Sequence, residues 1–166
     1  MGALLSLGEL LRRRHRGLQT RMAALEYDSR ARRAKVVQLA EELVAHATVE
    51  QLVLYPYAEE LLGVHDLSLE LERSLDALLG VIGGIEDERA FAGAMARLSA
   101  SFERHVDGDE MGLLPMVEAL GAPDQILRME QTIQEFERAL ATVGIDEPWF
   151  VPDASSELVV RGGWKN

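Results

Sequence analysis

The sequence predicts an all-α fold, a pseudosymmetric helical bundle followed by an irregular tail. Apolar residues recur three and four positions apart along most of the chain, and nothing alternates with period two for more than a few positions. One helical segment also repeats another in register. At 166 residues the chain suits a single domain, with residues 1–143 helical and residues 144–166 a tail rich in proline and glycine.

A first helix over roughly 3–27 runs its stripe through Leu4, Leu7, Leu11, Leu18, Met22 and Leu25, with His15 in the gap. A second, roughly 29–55, carries Val36, Leu39 and Leu43, then His46, Glu50 and Val53, so two polar groups interrupt its inner face. The third, about 60–82, admits two stripes. One passes through Val64, Leu67, Leu71, Leu75 and Leu78, the other through Leu61, His65, Leu69, Glu72 and Leu79. Gly83 and Gly84 precede a fourth helix, about 87–120, with Phe91, Met95, Leu98, Phe102, His105, Asp109 and Met116 on one face. After the break at Gly121-Ala122-Pro123, a fifth helix over about 124–142 shows Ile126, Met129, Ile133, Phe136 and Leu140.

Composition excludes several classes of function. With no cysteine there is no disulfide, thiolate nucleophile, zinc finger or iron–sulfur cluster, so a metal would have to sit on His, Asp, Glu or Tyr. A net charge of −11 argues against nucleic acid as a partner, although residues 1–35 hold nine basic groups against three acidic ones. That arginine-rich arm reads as a solvated face matched to acidic neighbours. Arginine outnumbers lysine 15 to 2, a coding bias that suggests a bacterial source rich in G and C. No apolar run has the length of a membrane span and no secretory signal is evident, which makes the cytoplasm the expected compartment.

The repeat carries the chemistry. His46, Glu50, Leu54 and Pro56 match His105, Asp109, Leu113 and Pro115 at identical offsets, and Leu39 and Leu43 match Leu98 and Phe102 upstream. On a helix, residues i and i+4 stand one above the other, so each half presents an imidazole and a carboxylate together on an apolar face. An ionised carboxylate there is costly without a cation or a hydrogen-bond network. Two such pairs face to face describe a carboxylate-bridged metal site.

The third helix leaves a choice. A turn centred between Tyr57 and Ala58 sets Glu50 level with His65, and a turn centred on Ile85 sets His105 level with His65. Translating the repeat points instead near position 74, closer to Glu72. Tyr57 lies on the α-helical face of residues 46, 50 and 53, from which a phenol could reach a bound ion, whereas Tyr55 reads as packing.

His15, His46-x-x-x-Glu50 with a following Leu-Tyr-Pro, and His105-x-x-x-Asp109 with a following Leu-Leu-Pro resemble the hemerythrin family in its bacterial HHE cation-binding form, over roughly residues 8–120. The resemblance implies an antiparallel four-helix bundle, here with an additional C-terminal helix, around two non-haem iron ions joined by an oxo or hydroxo bridge. It implies Glu50 and Asp109 as bridging carboxylates and histidines as terminal ligands. The family often has two histidines four apart on the third helix, where this chain has His65 and then Leu69. With His15, His46, His65 and His105, one position is left open. The expected function is reaction with oxygen or peroxide, such as peroxide disproportionation, ferrous oxidation or oxygen activation. The alternative is a module that binds or senses oxygen, iron or nitric oxide without turnover.

Overall fold

The computed structural model describes residues 5–27 and 31–142; the expected tail at 144–166 lies outside them. Among the described residues the chain is helical and has no strand. The elements are α1 (Leu7–Tyr27), α2 (Arg32–Val49), a π-helical turn (Glu50–Leu54), α3 (Tyr55–Leu62), α4 (Leu69–Gly83), α5 (Glu88–Gly108), a second π-helical turn (Asp109–Leu113), α6 (Leu114–Leu120) and α7 (Pro123–Thr142). Because the π turns continue the helices that flank them, these segments make five rods. None of the described helices is long and apolar enough to cross a membrane.

The rods end where backbone chemistry requires it. Gly63 adopts a left-handed conformation at φ 65° and closes α3 by donating its N–H to the Glu59 carbonyl. The Asp87 carboxylate accepts the Ala90 N–H at 2.8 Å and caps α5. Between α4 and α5, a Cβ on Gly84 would stand 3.0 Å from the Phe91 backbone nitrogen, so only glycine allows that hairpin to close so tightly.

Two expected boundaries move. The second rod runs on through Pro56 to Leu62, and the third begins only at Leu69. Of the two stripes on the third helix, the inner one holds Leu71 and Leu78, joined by Ser74 and Val81. The rival stripe faces outward: Leu69, Glu72 and Leu79 are exposed. Leu11, Leu18, Leu39, Leu43, Leu98 and Phe102 fill the centre of the bundle. Met116, expected on the inner face of α6, is half exposed, and Leu114 and Val117 are buried instead.

The start of α1 is held by carboxylates of α6 and α7. The Leu7 N–H donates to Glu130 of α7 and the Gly8 N–H to Glu118 of α6, each at 2.9 Å. Those amides have no partner within their own helix, and the negative charge complements the helix dipole. Farther along, the fully buried Arg14 pairs with Glu137 of α7 at 3.0 Å.

The two glycines of the α4–α5 hairpin should respond oppositely to alanine. Nothing lies within 4 Å of a Cβ on Gly83, so Gly83→Ala should raise stability by roughly 0.5–1 kcal/mol through lost chain entropy. Gly84→Ala must push α5 backbone aside and should lower it by about 1–3 kcal/mol. Thermal denaturation of both variants measures the contrast.

Candidate metal centre

One residue separates each π turn from a proline, Tyr55 before Pro56 and Leu114 before Pro115. Proline at an interior helical position has no N–H to give and its ring clashes with the carbonyl four residues back. Here the turn before it widens: the N–H of Tyr55 reaches the Glu50 carbonyl and that of Leu114 reaches the Asp109 carbonyl, each five residues back. The repeat therefore extends to the backbone, with the same distortion at the same offset in both halves. As a consequence, the residue standing over each carboxylate is five positions on, not four.

Three helices and the first π turn bring His15, His46, His105 and Glu50 into one buried group, whose potential ligand atoms all lie within 4.8 Å of one another. The Nε2 atom of each imidazole lies 3.3 Å from a Glu50 carboxylate oxygen, that of His15 from Oε1 and those of His46 and His105 from Oε2. The His46 and His105 Nε2 atoms are 3.1 Å apart. Phe102 closes one side, its ring centroid 5.3–6.1 Å from the three imidazole centroids, and excludes water.

Tyr55 completes the cluster. Its hydroxyl lies 3.1 Å from Glu50 Oε2, 3.4 Å from His105 Nδ1 and 3.4 Å from Asp109 Oδ2, so it links the two carboxylates. In the other half of the repeat the corresponding residue is Leu114, and the symmetry stops there. A second residue outside the expected set, Glu110, accepts the Nδ1–H of His15 at 2.8 Å. Glu110 is partly exposed and connects the buried group to the surface.

Several expected site residues lie elsewhere. His65 is exposed in the loop between α3 and α4, because the second rod does not turn near Tyr57 and the hairpin reflection that placed His65 beside Glu50 was centred too early. Glu72 is exposed on α4 and accepts the Ser68 hydroxyl. Leu69, which marked the open position, is half exposed at the start of α4. No residue of α4 belongs to the cluster of potential ligands. Tyr57 leaves the face of Glu50 because of the π turn. Its hydroxyl accepts the Ala122 N–H at 2.9 Å, so it ties α3 to the turn before α7. Pro56 was the signal for Tyr55, since proline within a helix marks a bulge that advances the face by one residue. No comparable signal existed for Glu110, because α-helical spacing turns it away from Asp109.

Burial sets the charges. It opposes a positive His15, but hydrogen bonds to Glu110 and Glu50 outweigh it and raise the pKa to about 9. Burial lowers the pKa of His46 and His105 and keeps both neutral. Burial also opposes charge on Glu50, yet the surrounding imidazoles hold it ionised. Asp109 is raised to about 9, first by burial and then by the Glu50 charge beside it, so it retains a proton. Tyr55 is raised far above its ordinary value by burial and the two carboxylates.

The donor set fits a transition metal. It offers three imidazole nitrogens and carboxylate oxygens in a dry pocket, without sulfur, a set suited to iron, manganese or zinc. The buried His46 Nδ1 has no hydrogen-bond partner among the described residues. The partners of this ring are therefore all at Nε2, the nitrogen turned toward Glu50 and His105 and toward any ion held there. Uptake of an ion requires His15 and Asp109 to lose their protons.

The family profile of the Hemerythrin HHE cation binding domain matches residues 6–117. No curated protein and no solved structure matches the chain.

The metal-free protein should lose stability between pH 6.5 and 9. Over that window folded His15 and Asp109 hold protons that the unfolded chain releases at their ordinary values of 6.5 and 3.8, so raising the pH favours unfolding. The stabilising charge of His15 is complete below 6.5 and lost through about 9. His46 and His105 contribute no slope there, because both states are neutral above 6.5. Each retained proton contributes a slope of about 1.4 kcal/mol per pH unit. Asp109→Asn should roughly halve the fall, and denaturant unfolding of the apo protein at several pH values measures it.

Proposed function

We propose that this chain, which belongs to the hemerythrin HHE cation-binding family, is a non-haem di-iron protein whose centre reacts with oxygen or peroxide. The observation that carries the reading is the convergence of three imidazole Nε2 atoms on one buried carboxylate. His15, His46, His105, Glu50 and Asp109 are the residues that would hold the iron. When bound, iron supplies the capacity to exchange electrons with oxygen or peroxide.

The remaining roles belong to the chain. Glu50 enters already ionised and Asp109 follows by releasing its proton. Glu110, bonded to His15 Nδ1, leaves Nε2 as the nitrogen that faces the ion. Because α4 offers no ligand, the histidine-rich sphere common in the family is incomplete and leaves room for a small molecule. Tyr55 stands between the carboxylates, where its hydroxyl can coordinate the metal or hydrogen-bond to what the metal holds. Peroxide disproportionation suits this enclosure, since two peroxides yield oxygen and water without an outside reductant.

The link from His15 through Glu110 to the surface of α1 supports a second reading, a sensor without turnover. The His15 hydrogen bond lowers the pKa of Glu110 most and the charges of Arg12 and Arg16 lower it further, so a change at the centre has a route to the basic arm. Oxygen release from added peroxide separates the readings: turnover supports the first, and oxidation-dependent change without turnover supports the second.

Iron per chain and the near-ultraviolet and visible spectrum test the centre. Two irons per chain and an oxo-bridged ferric absorption are expected. His46→Ala and His105→Ala should each remove most of the iron, while His65→Ala leaves it unchanged. Glu110→Ala should weaken iron affinity about 10- to 100-fold. Should Tyr55→Phe retain iron but lose a visible band, the phenol is a ligand; an unchanged spectrum restricts it to hydrogen bonding.

A further inference from the structure

We propose that the groove between α2 and α7 is the docking seat of the chain's own segment 148–152. The groove has a volume of about 460 Å3 and is lined by Ala40, Val44 and Thr48 of α2 with Phe136 and Leu140 of α7. It is almost wholly apolar, with Glu41 its single carboxylate. Val44 is 52% exposed at its centre, a cost that a covering apolar group would remove.

Reach, shape and composition identify the occupant. The chain leaves α7 at Thr142, just beyond Leu140, and Pro148 follows six residues later. Six residues span at most about 20 Å, enough to double back over a groove whose α2 wall, from Ala40 to Thr48, measures about 12 Å. Within the segment, Trp149, Phe150 and Val151 form an uncharged apolar triplet between two prolines. A residue preceding proline favours an extended backbone, so Glu147 and Val151 bias the triplet toward the roughly 10 Å strip that such a groove accepts.

Composition supplies an independent argument. Both tryptophans of the chain, Trp149 and Trp164, fall in residues 143–166, where no helical period provides a face to bury them. Such segments are ordinarily poor in aromatic residues, because an aromatic ring gains from folding only where a surface receives it. The α2–α7 groove is the apolar surface beside the point where this segment begins.

The experiment uses the full chain carrying Trp164→Phe, so that Trp149 alone reports, at matched metal content. Its emission should be blue-shifted relative to the protein in urea. Val44→Glu and Leu140→Glu should each move it to the red and raise acrylamide quenching several-fold, with the far-ultraviolet circular dichroism unchanged. Sedimentation should give a monomer throughout. Emission that already matches the unfolded chain overturns the proposal, as does emission unmoved by both substitutions. A blue shift that appears only as the protein dimerises assigns the groove to a second copy and overturns it as well.

Discussion

A single ionised carboxylate at the centre of a helical bundle governs the arrangement around it. Burying Glu50 without compensation would cost more than a domain of this size can spare. Three imidazoles answer that cost from three helices, and one of them, His15, carries the neutralising proton through its own bond to Glu110. Asp109 answers it differently, by remaining protonated beside the charge. The packing of α1, α2 and α5 is thus tied to the electrostatics of one side chain. Whatever displaces His15 from Glu50 leaves a buried charge exposed to an apolar interior.

The two halves of the bundle use the same backbone device and then diverge. Pro56 and Pro115 each force a π turn that begins at a carboxylate, so the helix enters the turn with Glu50 or Asp109 facing inward and leaves it rotated by one residue. In one half that rotation delivers a phenol, in the other a leucine. The asymmetry of the site therefore originates in one side chain placed by a symmetric distortion. It puts the polar group at the start of α3 and leaves the start of α6 apolar.

The helical class, the five rods and the repeat were legible because periodicity and offset are local properties. Inner faces for His15, His46, Glu50 and His105 could be read in the same way, and the structure brings those four together. The third helix was not legible. Its placement depends on where the second rod ends, and a turn centred between Tyr57 and Ala58 falls inside α3, which continues to Leu62. That error moved His65 from an exposed loop into the bundle. The exchange of Tyr57 for Tyr55 has the related cause that α-helical spacing was extended across a turn of different pitch. Glu110 depends on the approach of α1 to the second π turn, a tertiary contact that no local pattern records.

The attachment of α1 has a consequence for the order of assembly. Its first amides are bonded to Glu118 and Glu130, and Arg14, adjacent to His15, is paired with Glu137. During synthesis α1 emerges first, yet the groups that hold it emerge more than a hundred residues later. Before then α1 can pack against α2 and α5 through Leu11 and Leu18, but its first turn and Arg14 lack these partners. The bonds that fix the start of α1 therefore form only after α6 and α7 have been made.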